Sequence, residues 1–279
     1  MIRVALFTSQ DIGFELAQHF EARTDLLVVS YDQARYADYG YRSALTFCRE
    51  RGIHHVDAPK ADDRVAAALD AHRPDIIVCA WYAKILPIEL LAKARLGGVN
   101  VHPGKLPFYK GRWPTPWYIL NGDPTFGIAV HKMVAEVDAG DVFVQREFPI
   151  PPDMTGHELI RETMKRSAEV VIDSFGDIVS GRLIAMPQAS GGSRYDHVDR
   201  TYDIDWTSSS DVISRHIRVH AKPYEPASGI VDGRKISINR AKPVEGARYL
   251  TPGTVLSHDP LVVQCGEGAL LADDYEWLR

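Results

Sequence analysis

The stretch Val99-Asn100-Val101-His102-Pro103-Gly104-Lys105-Leu106-Pro107, preceded by Asp75-Ile76-Ile77-Val78-Cys79-Ala80, decides how this chain folds. Residues 75–80 are short, apolar and rich in β-branched side chains, and they follow Pro74, which is the pattern of a buried strand. Asn100 and His102 are two apart, so an extended segment projects both from one face. Pro103 disfavours helical backbone at His102 and keeps the segment extended through the histidine. Two polar groups at the end of a buried strand sit where open α/β sheets place their chemistry. The spacing alone leaves open the plainer reading, an Asn and a His that merely cap a strand.

Outward from that stretch, short apolar strands alternate with helical segments. Residues 2–8 read as a strand, 11–22 as a helix and 27–30 as a strand, and this alternation predicts an α/β fold with a doubly wound, mostly parallel sheet. The first strand–helix turn, Ser9 to Gly13, carries neither GxGxxG nor a P-loop. Residues 31–41 form a tyrosine-rich loop before a helix at 42–52, and the tyrosines read as half-buried packing. Pro87 suits the first turn of a helix over 88–94, and Gly97-Gly98 break it ahead of the Asn–His strand. A short helix over 114–120 follows. Residues 126–133 and 141–150 alternate as strands, with Asp138 on the turn between them. Thr155 and Glu158 have capping-box spacing at the start of a long amphipathic helix over 155–181.

Ala189-Ser190-Gly191-Gly192-Ser193 is the best linker candidate, dividing residues 1–188 from 194–279. Beyond it, a helix over 211–219 with caps among Thr207 to Ser210 precedes short β-like runs at 228–232, 234–240, 252–257, 260–265 and 268–272. That composition predicts a smaller, β-rich, OB-like C-terminal domain.

Composition narrows the function. The 279 residues are 45% hydrophobic and 25% charged, as in an ordinary globular protein. A net charge of −5 argues against a protein whose main task is holding a polyanion. Cys48, Cys79 and Cys265 are scattered and form no CxxC pair, which points to a reduced compartment and a cytoplasmic protein. The longest apolar runs fall far short of a membrane span, and residues 1–20 lack the pattern of a signal peptide. No HExxH is present. His216 and His220 have HxxxH spacing without a third ligand beside them, so no metal site is expected.

Asn100-x-His102, Leu106-Pro107-x-Tyr109-Lys110-Gly111-Arg112, Gly127 with His131, and Asp138-x-Gly140 together resemble the 10-formyltetrahydrofolate-dependent formyltransferases, through most of residues 1–183. Ile204-Asp205-Trp206, Ile217-Arg218 and Pro223 resemble the C-terminal module of the methionyl-tRNA and amino-sugar members. Pro252 to Leu256 and Gly266 to Leu270 are most similar to the formyltransferase domain that acts on UDP-4-amino-4-deoxy-L-arabinose. The resemblance implies a Rossmann-like catalytic domain, 10-formyltetrahydrofolate as formyl donor, and Asn100, His102 and Asp138 as catalytic residues. Asn100 would donate to the developing oxyanion, His102 would move protons and Asp138 would orient the histidine. Asp141 is the competing carboxylate, and the DxG match favours Asp138. The resemblance also implies a pterin pocket from Ile85, Leu86, Pro87, Arg112 and Val134, Ala135, Glu136, Val137, and acceptor contacts from Ser9, Gln10, Asp11, Tyr109 and Lys110. Lys84 is a weaker candidate.

The departures from the family concern the acceptor. The loop at 31–41, basic in methionyl-tRNA formyltransferase, here carries Arg35 against Asp32 and Asp38. Residues 195–279 hold 10 Lys and Arg against 13 Asp and Glu, unlike a tRNA-binding surface. Gly104-Lys105 stand where many relatives have Ser-Leu. The expected activity is formyl transfer to the primary amine of a nucleotide-linked amino sugar destined for a cell-surface glycan such as lipopolysaccharide. Methionyl-tRNA or another small amine is the alternative acceptor. A 10-formyltetrahydrofolate hydrolase, whose relatives carry a domain ahead of the first strand, and a silent folate-binding module are further alternatives. The C-terminal domain is expected either to make a homodimer contact or to extend the acceptor site.

Overall fold

A computed structural model of the chain describes residues 1–32, 34–82, 84–196, 202–247 and 249–278. These residues form two compact units. One comprises Met1–Pro114, Phe126–Phe148 and Arg161–Asp196; the other comprises Thr115–Thr125, Pro149–Ile160 and the described part of His197–Arg279.

The elements run β1 (Arg3–Thr8), α1 (Gln10–Glu21), β2 (Asp25–Ser30), α2 (Ala34–Asp38), α3 (Ala44–Arg51), β3 (His54–Asp57), α4 (Asp63–His72), β4 (Ile76–Ala80), α5 (Ile88–Leu91), β5 (Gly98–His102), β6 (Lys110–Gly111), α6 (Thr115–Asn121), β7 (Thr125–Lys132), β8 (Val142–Pro149) and α7 (Gly156–Ser180). They continue with β9 (Arg194–Tyr195), α8 (Ser210–His220), β10 (Ala227–Val231), β11 (Arg234–Val244), β12 (Val255–His258), β13 (Leu261–Gln264) and β14 (Ala269–Trp277).

The first unit is built on a seven-stranded sheet of order β3-β2-β1-β4-β5-β7-β8. Strands β3, β2, β1, β4 and β5 pair in parallel, and β7 runs antiparallel to β5. This is the expected doubly wound, mostly parallel sheet. The chain winds outward from β1 through β2 to β3, then returns to the other side of β1 with β4. The carboxyl ends of β1 and β4 therefore flank the point where winding reverses, the customary place for a ligand crevice. Helix α1 buries Ile12, Leu16, Ala17 and Phe20, the i, i+4, i+5 and i+8 positions of its apolar stripe. Phe7, Leu27, Val29, Ile77, Val65, Leu69, Leu86 and Leu90 belong to one buried cluster.

Three elements carry little hydrophobic periodicity and are additions to the sequence reading. Strand β3 is His-His-Val-Asp at the sheet edge, too polar to show as an apolar run. Helix α4 buries only Val65 and Leu69, and its start is fixed by Asp62, whose carboxylate accepts from the Arg64 and Val65 N–H groups. Helix α2 is five residues long. Helix α5 stops at Leu91 rather than 94. Residues 189–193 are corrected as well: Gly192 packs against Pro107, and Ser193 is hydrogen-bonded to residues 109 and 110, so this stretch is not a free linker.

The second unit holds a five-stranded antiparallel sheet of order β10-β11-β14-β13-β12. Ile213 and Ile217 of α8 join Ile236, Ile238, Leu261, Val263 and Leu270 in its core. The expected capping box is formed: the Thr155 N–H donates to Glu158 Oε2 at 2.8 Å, and the Glu158 N–H donates to Thr155 Oγ1 at 3.3 Å. Ser209 caps α8, accepting from the Val212 N–H.

Candidate active site

The parallel register places Cys79 beside Asn100, and the antiparallel register places His131 directly opposite Asn100. Side chains of directly paired residues share a face. Asn100, His102 and His131 therefore converge at the end of β5, as the two-residue spacing requires for the first two. Asn100 Nδ2 lies 3.1 Å from His131 Nε2.

Asp138 comes to the same point from the turn after β7. Its Oδ1 is 3.5 Å from His102 Nδ1 and 3.6 Å from His131 Nε2, and its Oδ2 accepts the Gly111 N–H at 2.9 Å. His102 is 3% exposed, His131 2% and Asp138 7%. Burial by itself pushes the Asp138 carboxyl up, but His102, His131 and the Gly111 N–H outweigh it and hold the group at about 2. Burial lowers His102 against the opposing pull of Asp138. A buried carboxylate thus faces two buried imidazoles. Asp141, the competing carboxylate, pairs instead with Lys132 at 3.3 Å.

Two hydrogen bonds fix the imidazole tautomers. His102 Nε2 lies 2.7 Å from the Tyr109 carbonyl, and His131 Nδ1 lies 2.8 Å from the Lys132 carbonyl. A carbonyl only accepts, so each of those nitrogens carries a proton. In the neutral rings this leaves His102 Nδ1 with a lone pair facing Asp138. His131 Nε2 stands between the Asn100 amide at 3.1 Å and Asp138 Oδ1 at 3.6 Å. The second N–H and the Oδ1 of Asn100 remain available for a reacting group.

The motif glycines have steric reasons. A Cβ at Gly140 would lie 1.9 Å from the Lys132 carbonyl oxygen, and one at Gly127 would lie 2.4 Å from Lys105 Cγ. A Cβ at Gly104 would come within 2.4 Å of His102 Nε2 and 2.7 Å of the Tyr109 carbonyl. Absence of a side chain at 104 is therefore what lets the histidine meet that carbonyl.

The remaining sequence-derived residues fall into three groups. Ser9, Gln10 and Asp11 sit at the carboxyl end of β1. Ser9 Oγ donates to the Trp81 carbonyl at 2.7 Å. Asp11 accepts from the Arg42 N–H and side chain and faces Arg161 at 3.4 Å, so its charge is already partnered. Gln10 Oε1 and Trp81 Nε1 are buried without a hydrogen bond among the described residues. Gln10 and Trp81 also adopt left-handed backbone, φ 59° and 60°, uncommon for such large residues and typical of ligand crevices. Tyr109 is buried, stacked on Tyr195 with ring centroids 4.8 Å apart, and presents its backbone rather than its ring to the site; Lys110 is half-buried.

On the other side, Leu86 is buried while Ile85 is 76% exposed and Val134 46% exposed. Met133, just before Val134, packs against the cluster containing Leu86 and Leu90. Ile85 and Val134 thus each offer an apolar side chain to solvent. Pro87, Ala135, Glu136, Arg112 and Lys84 are exposed and Val137 half-exposed. No group of three or more metal-ligating side chains occurs among the described residues. His216 and His220 have ring centroids 4.6 Å apart in the second unit.

Two supporting residues were not singled out from sequence, because nothing local marks them. His131 was quoted only as part of a pattern. Gln188 Nε2 donates to the carbonyls of Asp138 and Gly140, at 2.7 and 2.8 Å, and so grips the turn that carries the carboxylate.

Comparison with known proteins identifies the family. The family described as formyl transferase matches residues 34–175, and its C-terminal domain matches residues 199–277. WlaRD, a sugar 3N-formyl transferase solved with dTDP and 5-N-formyl-tetrahydrofolate, superposes with a TM-score of 0.75 at 18% identity, over 100% of this chain and 98% of its own. An N-formyltransferase from Helicobacter canadensis, solved with folinic acid and dTDP-3-aminofucose, gives 0.73 at 16% identity, over 98% and 99% of the two chains. HypX from Aquifex aeolicus, in complex with tetrahydrofolic acid, gives 0.66 at 19% identity; it covers all of this chain, which spans 44% of HypX. At these identities the likeness is one of fold.

Proposed function

The chain belongs to the formyl transferase family, and from that premise we propose that it transfers a formyl group from 10-formyltetrahydrofolate to the primary amine of a nucleotide-linked amino sugar. The observation that carries this reading is the buried group in which Asp138 lies within 3.6 Å of both imidazoles and His131 within 3.1 Å of Asn100. The sugar acceptor is supported by the full-length likeness to two sugar N-formyltransferases and by the lack of basic excess in residues 195–279.

The residues fit the donor. A pterin is a flat ring with a polar edge, and the exposed side chains of Ile85 and Val134 are assigned as the apolar surface that meets it, with the backbone of residues 134–137 reading its edge. Arg112, exposed on the loop after β6, is assigned as a cation for an acidic donor tail. When bound, the donor supplies a formyl carbon already activated on nitrogen. Ser9, Gln10 and Lys110 are assigned to the acceptor, with Gln10 Oε1 and Trp81 Nε1 as an unmatched acceptor and donor in the crevice.

Asn100 donates its free amide N–H to the formyl oxygen as negative charge develops there, an effect of about 3 kcal/mol for one well-placed donor. His102 takes the proton of the attacking amine at Nδ1, and Asp138 stabilises the imidazolium so formed. The proton then returns to the departing nitrogen from the same Nδ1. Burial favours this step, because the ring starts neutral and the carboxylate beside it is not screened by water. We assign the enzyme to the cytoplasm on its three cysteines, which are free and buried as suits a reducing compartment.

The test is formyl transfer from 10-formyltetrahydrofolate to a panel of UDP-, dTDP- and GDP-linked amino sugars, with methionyl-tRNA alongside. Transfer to one nucleotide sugar names the acceptor. Transfer to tRNA alone, or loss of the formyl group without any acceptor, overturns the reading in favour of the tRNA enzyme or of a hydrolase.

A further inference from the structure

The segment 188–195 lies between the two regions that match the family, which end at residue 175 and resume at 199. Its sequence, Gln-Ala-Ser-Gly-Gly-Ser-Arg-Tyr, reads as a flexible connector. In the structure it is fastened at both ends to the loops that carry the site. At one end, the Gln188 amide donates to two carbonyls of the Asp138–Gly140 turn. At the other, Ser193 Oγ accepts the Tyr109 N–H at 3.0 Å, and the Ser193 carbonyl accepts the Lys110 N–H at 2.9 Å. Strand β9 pairs with β6 in register Lys110 with Arg194 and Gly111 with Tyr195, and the Tyr195 ring stacks on Tyr109 at an interplanar angle of 21°. Gly192 has no room for a side chain, since a Cβ there would lie 2.1 Å from the Pro107 carbonyl oxygen.

We propose that residues 188–195 are a positioning strap for the reaction centre: Gln188 holds the turn that carries Asp138, and Ser193 holds Tyr109 so that its carbonyl keeps the His102 proton on Nε2. Tyr109 has left-handed backbone, φ 59°, a conformation that a large side chain does not hold without such restraint. Its carbonyl is 2.7 Å from His102 Nε2 and only accepts, so the held loop draws the proton of the neutral ring to Nε2 against the more distant Asp138 carboxylate, 3.5 Å from Nδ1. That tautomer leaves Nδ1, the nitrogen facing Asp138, as the atom that takes and returns a proton. The other attachment acts on the same pair, because the turn gripped by Gln188 sets the distance from Asp138 Oδ1 to Nδ1. Gly104 completes the device by leaving the space through which Nε2 meets the carbonyl. Ser193 and Gln188 touch neither donor nor acceptor in this scheme; they act through Tyr109 and Asp138.

The catalytic part of the inference rests on the proposed formyl transfer, whereas the tautomer does not, so the experiment reads both. Imidazole 15N shifts of His102 in the full-length protein are compared for wild type, Ser193→Ala, Ser193→Thr and Gln188→Ala. Wild type is expected to show one neutral tautomer protonated on Nε2, and Ser193→Ala a mixture that Ser193→Thr restores. A wild-type ring protonated on Nδ1, or an unchanged spectrum in Ser193→Ala, overturns the strap whatever the enzyme's substrate is. In formyl transfer, Ser193→Ala and Gln188→Ala are each expected to lower kcat roughly three- to tenfold, the scale of one neutral hydrogen bond, with KM for the donor unchanged. The acidic limb of the pH profile should shift with kcat, and Ser193→Thr should recover it. A kcat and pH profile indistinguishable from wild type in both alanine variants, or a change in donor KM alone, overturns the positioning role.

Discussion

Asn100 and His131 face each other across the antiparallel β5–β7 pair, with Asn100 Nδ2 3.1 Å from His131 Nε2 and His131 Nδ1 bound to the Lys132 carbonyl. That contact orients the amide, and on the proposed mechanism its other N–H is the donor to the formyl oxygen. Replacing Asn100 by Ala removes that donor, and we expect kcat to fall by about a hundredfold or more with donor affinity little changed. His131→Phe keeps the ring but frees the amide to rotate, and should cost about tenfold in kcat, near one hydrogen bond's worth of orientation. Steady-state kinetics with donor binding measured separately check both; a loss confined to donor affinity contradicts the assignment.

Asp138 stays ionised throughout the working range, since its carboxyl is held at about 2. On the proposed mechanism the acidic limb of activity belongs to His102, whose pKa burial lowers and Asp138 raises. Asp138→Asn removes the raising influence. The limb should move to lower pH while the maximal rate drops, because the imidazolium has lost its counter-charge. A pH–rate profile of the variant decides, and a limb that stays in place rules out the pairing.

Gly140→Ala tests why the DxG spacing ends in glycine. The added Cβ would lie 1.9 Å from a backbone oxygen, and a backbone atom does not yield as a flexible side chain does. We expect a destabilisation of about 1–3 kcal/mol, read as a lower denaturation midpoint, together with loss of activity as the Asp138 turn shifts. Wild-type stability in this variant would show that the turn accommodates the methyl group.

His220 supplies a stability prediction in the second unit. It is 7% exposed, and burial, followed by the neighbouring His216, lowers its pKa to about 4. A histidine with a lowered folded-state pKa takes up its proton more readily when unfolded, near pH 6.5. Its contribution is therefore complete above about pH 6.5 and is lost progressively as pH falls toward 4. A tenfold difference in proton affinity between the folded and unfolded chain corresponds to about 1.4 kcal/mol. Urea denaturation between pH 7 and 5 should show stability falling with pH, and His220→Gln should flatten the slope. An unaltered slope would mean that His220 is not the group responsible.

The amino-acid sequence by itself determined the alternation of β1, α1, β2 and β4, the extended strand that puts Asn100 and His102 on one face, the Thr155–Glu158 capping box and the strand-rich second unit. Each of these depends on residues a few positions apart, where periodicity, a following proline or a cap acts directly on the backbone. The polar edge strand β3 and the weakly amphipathic α4 escaped because a strand with one neighbour, or a helix with two buried residues, needs little hydrophobic pattern. What only the tertiary structure decided is the second half of the site. His131 meets Asn100 from 31 residues away, Gln188 reaches Asp138 from 50, and Ser193 reaches Tyr109 from 84. These residues carry no local signal, since their roles come from strand register and from two loops brought side by side. A glycine-rich tract that sequence alone marks as a connector becomes ordered here because its backbone is hydrogen-bonded to the loop bearing Tyr109.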